Sequence, residues 1–178
     1  MFSRKAVFLD RDGTLIDIIH RPDFDKKFTA PFTYDELRFV PRVKEVLEFL
    51  KRQGFMRIMI TNQPDVANGY MNESEWHRIH CEVLDVLRPD DFFMCRHTSD
   101  DNCPFKKPSP FMLKAAADKW GINLSQSYMV GDTKVDMEAG KAVGCKTVLI
   151  RTSYNADAKG DFEITKLADM IELLKEIE

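Results

Sequence analysis

The ten residues AVFLDRDGTL, at positions 6–15, place a short apolar run directly before two aspartates that lie two positions apart. A run of four apolar residues is typical of a strand buried on both faces, as strands in parallel sheets are. Similar short runs recur along the chain, at 57–60 (RIMI), 92–94 (FFM), 128–130 (YMV) and 147–150 (TVLI). The pattern predicts the strands of a central sheet.

Segments with helical spacing of apolar residues lie between these runs. Pro110 near a start and Gly121 after an end bracket one such helix, and Gly144 closes another that opens near Lys134. The tail repeats the helical spacing from Ile164 to Leu174. Strand and helix in alternation favour right-handed crossovers and a parallel sheet covered on both sides. The predicted fold class is a three-layer α/β/α sandwich with a Rossmann-like sheet.

The length and net charge of the chain indicate how many domains it forms and which partners it can bind. A chain of 178 residues with 44% hydrophobic content suits one domain, 1–178, in which residues 16–41 form an irregular insertion with several prolines. A net charge of −3 gives no positive field to attract nucleic acid or an anionic membrane, so small solutes are the expected partners. The apolar run at 6–9 is shorter than a signal-peptide core, which favours the cytoplasm.

Polar side chains follow three of the predicted strands directly. In an open parallel sheet, ligands bind beyond the carboxyl ends of the strands. Carboxylates crowded there repel one another unless a cation lies among them, and ligand sets made of oxygen favour Mg²⁺. The residues predicted to share this crevice are Asp10, Asp12, Thr61, Asn62, Asp132 and Asp136.

A second cation is available for an anionic ligand. A phosphate held by Mg²⁺ still needs a positive charge on its other oxygens and a hydroxyl to orient it. The stretch CRHTSDDNCPFKKPSP, residues 95–110, offers Lys106 and Lys107, and Thr61 offers the hydroxyl. Gly13 allows a sharp turn that brings backbone N–H groups towards an anion. The expected ligand is therefore a small phosphorylated metabolite.

Four segments, in order, carry a family resemblance: FLDRDGTL at 8–15, ITNQ at 60–63, KKPSP at 106–110 and VGDTKVD at 130–136. They resemble the four motifs of the haloacid dehalogenase superfamily of phosphohydrolases. Each motif lies at or near the end of a predicted strand, which makes the match more specific than a single short motif. The resemblance covers most of the chain.

The resemblance implies catalytic roles. Asp10 would be the nucleophile that forms an aspartyl phosphate, and Asp12 would act first as the general acid and then as the base. The physical logic agrees, because the nucleophile must stay ionised while its neighbour gives a proton to the departing alkoxide. Thr61 and Lys107 would bind the phosphoryl group, with Asn62 beside them.

The resemblance also implies a metal site. Mg²⁺ would be held by the carboxylate of Asp10, the backbone carbonyl of Asp12 and the carboxylate of Asp132. Asp136 would lie just outside the ligands and fix the lysine or a metal-bound water.

Within the superfamily, RDGT, TNQ and a Cys-x-His loop before KKP are similar to a subgroup that contains D,D-heptose 1,7-bisphosphate and histidinol-phosphate phosphatases. Members lack a large cap domain and carry a structural zinc. The resemblance implies hydrolysis of a sugar phosphate such as D-glycero-D-manno-heptose 1,7-bisphosphate, with histidinol phosphate as the alternative substrate. A catalytically inactive binding module of the same fold is the alternative from another class, although no required carboxylate is missing.

The zinc motif is incomplete in this chain. Three of its four ligand positions match, at Cys95, His97 and Cys103. The fourth position is Phe105, which offers no ligand, and a closed structural zinc site needs four. Asp100, Asp101 or water could substitute. The missing ligand favours a degenerate loop, residues 95–107, that has lost its ion.

Other departures concern specificity. Where the subgroup reads NQSGIARG, this chain reads NQPDVANG. Pro64 and Asp65 replace the small Ser-Gly pair, and Asn68 replaces the arginine. Phe111 stands where a glycine is usual. The chemistry is therefore expected to be retained, while the far end of the substrate is expected to be held differently.

Overall fold

The computed structural model describes residues 4–177 of the chain. The strands, in chain order, are β1 (Lys5–Leu9), β2 (Ile19–His20), β3 (Phe28–Thr29), β4 (Phe55–Asn62), β5 (Asp91–Cys95), β6 (Tyr128–Gly131), β7 (Lys146–Ile150) and β8 (Phe162–Ile164). The α-helices are α1 (Val43–Arg52), α2 (Glu73–Leu87), α3 (Phe111–Trp120), α4 (Lys134–Lys141) and α5 (Met170–Ile177).

Six parallel strands form the central sheet in the order β5-β4-β1-β6-β7-β8. Leu9 at the end of β1 is in register with Met59 of β4 on one side and with Val130 of β6 on the other. The chain first builds outward from β1 through β4 to β5, and then crosses to the other side of β1 with β6. Such a switch point opens a crevice beyond the carboxyl ends of the strands.

Helices cover both faces of this sheet. Val7 and Leu9 point into a core shared with α1, α2 and α5, whereas Ala6 and Phe8 point into a second core shared with α3 and α4. This alternation follows from the two-residue period of a strand. Because both faces of the inner strands β1, β4, β6 and β7 are buried, these strands can be largely apolar. The predicted three-layer α/β/α class is confirmed.

One element of the sequence prediction is wrong. The helical spacing in the tail predicts a helix from Ile164, but Phe162–Ile164 forms β8, the last strand of the six-stranded sheet. A 3₁₀ turn at Leu167–Asp169 follows, and the α-helix begins only at Met170. A three-residue edge strand has too few positions to show a period of two, so the spacing of the helix behind it dominates the pattern.

The insertion, residues 16–41, contains the short antiparallel hairpin of β2 and β3. The rest of this segment is irregular apart from a 3₁₀ turn at Tyr34–Glu36. Across residues 4–177, no helix is both long and apolar enough to cross a membrane.

Candidate active site

The turn after β1 places the first aspartate. The backbone N–H of Asp10 donates to the carbonyl of Val130 at 3.0 Å, which continues the β1–β6 pairing one residue further. Gly13 then turns the chain with a φ of +80°. A Cβ at Gly13 would lie 2.2 Å from Asp132 Oδ2, so only glycine permits this close approach of the turn to Asp132.

The N-terminus of α4 places another carboxylate. Thr133 is the N-cap, and Asp136 three residues later reaches back, so that its Oδ2 accepts from the Thr133 backbone N–H at 3.0 Å and from the Thr133 hydroxyl. Gly131 makes room, because a Cβ there would lie 2.4 Å from Asp136 Cγ. A local capping motif thus holds Asp136 with its Oδ1 facing the crevice.

Lys107 binds these carboxylates together. Its Nζ donates to Asp10 Oδ1 at 2.7 Å, to Asp136 Oδ1 at 2.6 Å and to the carbonyl of Ile60 at 2.8 Å. The residue is only 4% exposed. Burial would lower the pKa of Lys107, but the charges of Asp10 and Asp136 outweigh burial and raise it above the ordinary value. The ammonium group therefore stays charged.

Asn62 fixes the backbone of this lysine. Its Nδ2 donates to the carbonyl of Lys107 at 3.0 Å, and its Oδ1 accepts from the Lys107 N–H at 3.0 Å. The side-chain amide thus holds the lysine loop against the end of β4. A direct contact of Asn62 with substrate stays a prediction.

Three carboxylates meet in what we call the aspartate centre, formed by Asp10, Asp132 and Asp136 around Lys107. One oxygen from each acid lies within 4.8 Å of the others. Burial raises the pKa of Asp10 to about 7, with Lys107 opposing this and the neighbouring acids adding to it. Burial, followed by the charges of Asp10 and Asp136, raises the pKa of Asp132 well above its ordinary value. A cation among these acids would relieve this cost of ionisation.

The donor set of this centre fits Mg²⁺. Asp132 is 2% exposed, and its Oδ1 has no hydrogen-bond partner among residues 4–177. Both oxygens of Asp136 are bound, one by Thr133 and the other by Lys107. A hard cation ligated by Asp10 and Asp132, with Asp136 serving the lysine, agrees with these contacts.

Asp12 lies apart from the aspartate centre. Its Oδ1 accepts from Arg11 Nε at 3.1 Å and from Arg11 Nη2 at 3.0 Å, and its Oδ2 accepts from Gln63 Nε2. Its side chain is 17% exposed, whereas that of Arg11 is 1% exposed. Thr61 is fully buried, and its hydroxyl accepts from Gln63 Nε2 at 3.1 Å, so its contact with a phosphoryl group also stays a prediction.

A cavity of about 740 Å³ opens above these residues. Asp12, Asn62 and Lys107 are among its lining residues. A smaller cavity of about 250 Å³ reaches Asp10 and Asp132. The lining of the larger cavity also includes aromatic, charged and amide side chains, namely Phe24, Lys26, Phe28, Phe32, Asp65, Asn68, Tyr70 and Lys106.

The second candidate metal site lies in the cysteine loop, residues 95–107. Cys95 Sγ lies 3.7 Å from His97 Nδ1, and one ligand atom each from Cys95, His97 and Cys103 falls within 4.8 Å of the other two. Asp101 Oδ2, one candidate for a fourth ligand, accepts from the Thr98 N–H at 2.7 Å and the Thr98 hydroxyl at 2.8 Å. These residues do not fit a closed four-ligand zinc site.

Phe105, at the fourth ligand position, packs instead against Phe111. The two ring centroids lie 4.9 Å apart, and both side chains are partly exposed. The two unusual aromatic residues of this segment therefore contact each other. The loss of zinc expected from the sequence agrees with this packing and stays a prediction.

Comparison with known proteins identifies the family. A family model described as HAD-hydrolase-like matches residues 104–175. The D-glycero-beta-D-manno-heptose-1,7-bisphosphate 7-phosphatase of Haemophilus ducreyi is 31% identical, covering 94% of this chain and 97% of its own. The Escherichia coli protein of the same name is also 31% identical, over 96% of this chain and 93% of its own.

The chain belongs to the haloacid dehalogenase superfamily of phosphohydrolases. A crystal structure of D,D-heptose 1,7-bisphosphate phosphatase from B. bronchiseptica, complexed with magnesium and phosphate, has the same fold. Its TM-score is 0.81 at 24% identity, with 99% of this chain and 100% of that chain covered. The family resemblance read from the four motifs is confirmed.

Sequence reasoning missed several residues of this superfamily site. Gln63 lies inside the ITNQ motif, yet its contacts with Asp12 and Thr61 could not be read from spacing. Tyr154 and Asn155 follow β7 and contact Asp132. The signal that could have found them is the strand-end rule itself, which applies to the residues after β7 as well as to those after β1, β4 and β6.

Proposed function

We propose that the protein is a Mg²⁺-dependent phosphatase that hydrolyses a phosphate monoester of a sugar phosphate, most specifically D-glycero-D-manno-heptose 1,7-bisphosphate, through an aspartyl phosphate. The observation that carries this proposal is the aspartate centre, in which Asp10 and Asp132 lie together with a charged, buried Lys107. The names of the relatives support the substrate, and the magnesium and phosphate bound to the B. bronchiseptica enzyme support the cofactor.

Asp10 performs the first step in this proposal. Its carboxylate attacks the phosphorus, and the phosphoryl group passes to it as the bond to the sugar oxygen breaks. Lys107, 2.7 Å from Asp10 Oδ1, supplies positive charge beside the transferring group. Mg²⁺, held by Asp10, Asp132 and the carbonyl of Asp12, would supply the further charge that a phosphate dianion needs.

Asp12 handles the protons. It donates one to the departing sugar alkoxide, and it then removes one from the water that hydrolyses the aspartyl phosphate. Arg11 and Gln63 bind both of its oxygens and so restrict where it points. Asp12 is paired with Arg11 and Gln63, whereas Asp10 is paired with the buried Lys107, so different partners separate the two roles.

Phosphate release from heptose 1,7-bisphosphate, measured with Mg²⁺ and with EDTA, tests the proposal. Turnover with Mg²⁺ and none with EDTA is expected, with higher catalytic efficiency than for histidinol phosphate. Asp10→Asn should lower kcat by at least about 10⁴-fold, because the amide cannot act as nucleophile. The matched control is Asp23→Asn, which changes an exposed aspartate of the insertion.

Two results would contradict the proposed chemistry, and a third would contradict only the proposed substrate. Full activity of the Asp10→Asn variant would exclude the aspartyl phosphate. A folded protein that turns over neither substrate would favour the binding-module alternative. A preference for histidinol phosphate would keep the chemistry and change the substrate.

A further inference from the structure

The loop after β7, residues 151–155, closes over Asp132. Tyr154 Oη donates to Asp132 Oδ2 at 2.6 Å. Asn155 Nδ2 donates to the backbone carbonyl of Asp132 at 2.6 Å and to the carbonyl of Ile150 at 2.9 Å. Both the side chain and the backbone of Asp132 are therefore held by one short segment that lies outside the four motifs.

These contacts assign different tasks to the two oxygens of Asp132. Oδ2 is bound by Tyr154 and lies in the space that Gly13 leaves open, 2.2 Å from the position that a Cβ would take. Oδ1 is buried and has no hydrogen-bond partner among residues 4–177. An ionised oxygen buried without a partner is costly, and the cost is recovered when a cation binds there.

The phenol is itself held in place. The ring centroids of Tyr154 and Phe28 lie 4.6 Å apart, so β3 of the insertion packs against the tyrosine. Asn155 Oδ1 accepts from the Thr152 N–H at 3.0 Å, and Arg151 Nη1 donates to the carbonyl of Asn155 at 2.9 Å.

We propose that Tyr154 is a positioning residue for the metal: by binding Asp132 Oδ2 it presents Asp132 Oδ1 to Mg²⁺ and so sets the affinity of the aspartate centre for a divalent cation. This inference rests on the proposed function, because it takes Asp132 as a ligand. Residues that hydrogen-bond to a metal ligand fix its orientation and commonly change metal affinity by about 10- to 100-fold when they are removed.

Tyr154→Phe tests the inference, because it removes one hydroxyl and keeps the ring that packs on Phe28. Binding of Mn²⁺ to the full-length protein, followed by electron paramagnetic resonance of the free ion, gives the dissociation constant without any need for turnover. We expect the Mn²⁺ dissociation constant to rise by about 10-fold or more. The matched control is Tyr34→Phe, which removes the same hydroxyl group from a tyrosine whose ring lies beside Arg78 of α2 and not beside Asp132.

The Mg²⁺ dependence of activity tests the inference independently. The Mg²⁺ concentration that gives half-maximal activity should rise in Tyr154→Phe, while kcat at saturating Mg²⁺ stays within about 3-fold of the original, because no reacting atom is touched. A purely structural role would instead lower the melting temperature and kcat together and leave the metal dissociation constant unchanged.

A Mn²⁺ dissociation constant within 2-fold of the original in a folded Tyr154→Phe variant would overturn the inference. If the unaltered protein binds no Mn²⁺ and releases no phosphate, the proposed function fails instead. If the unaltered protein binds the metal and the variant binds it equally well, only the role of Tyr154 fails.

Discussion

The aspartate centre and the cysteine loop both adjoin the carboxyl edge of the sheet, and both resemble metal sites, but they differ in how many parts of the fold supply their polar groups. In the aspartate centre, partners arrive from β4, from the lysine loop, from α4 and from the segment after β7. In the cysteine loop, three potential ligands come from one short stretch, and an aromatic residue stands at the fourth position.

The difference follows from what each group costs when it is left alone. A buried carboxylate or ammonium without a partner is strongly destabilising, so the aspartate centre cannot lose one member without consequences for the rest. A thiol behaves as a small apolar side chain when it binds nothing, and His97 is exposed to water. The cysteine loop can therefore lose a ligand and still fold.

Removing the positive charge of Lys107 from the aspartate centre should have the largest effect on the free energy of unfolding. Lys107→Met leaves crowded, buried carboxylates without their shared partner, and we expect the free energy of unfolding without Mg²⁺ to fall by roughly 3–5 kcal/mol. Urea denaturation measures this value. Lys106→Met is the control, because it changes the neighbouring lysine, whose Nζ binds the carbonyl of His97. Equal effects of the two substitutions would contradict the pairing argument.

Adding a methyl group beside Asp132 in the aspartate centre should have the next largest effect on stability. Gly13→Ala places a methyl group against Asp132 at a φ of +80°, so we expect a loss of about 2–4 kcal/mol in stability together with weaker Mn²⁺ binding. Gly54→Ala is a close control: its φ is +79°, but nothing lies within 4 Å of the added Cβ. That variant should lose only about 1 kcal/mol. Urea denaturation and Mn²⁺ titration distinguish the two variants.

Adding the missing ligand to the cysteine loop should have the smallest effect on stability. It would give this loop the full set of metal ligands that it lacks. Phe105→Cys supplies a fourth ligand, so elemental analysis should find one zinc per chain in this variant and clearly less in the unaltered protein. Zinc in modest excess should then stabilise the variant by about 2 kcal/mol. Phe111→Cys, which changes the packed neighbour, should not gain zinc. Stoichiometric zinc in the unaltered protein would show that three protein ligands suffice.

The fold was largely predictable because its signals are local. The runs that became β1, β4, β6 and β7 are apolar for a physical reason, burial on both faces, and this shows in a few consecutive letters. Strand β8 lacks such a run because it is a three-residue edge strand. The period of two needs more positions than that to appear.

The candidate site was predictable where chemistry depends on position along a strand. Asp10 and Asp132 follow neighbouring strands, so the strand-end rule alone places them together. The partners of Asn62 and Tyr154 could not be predicted in this way, because an amide or a phenol suits many contacts. Which contact forms depends on how separate loops pack, and that information is spread over the whole chain.

The position of β1 between β4 and β6 has a consequence for synthesis of the protein. The partners of Asp10, Lys107 and Asp132, are residues that the ribosome adds much later, and so is Tyr154, which binds Asp132. A nascent chain that lacks them has Asp10 but no working crevice. Turnover should therefore appear only after nearly the whole polypeptide has emerged and assembled, so that enzyme activity reports the completion of folding.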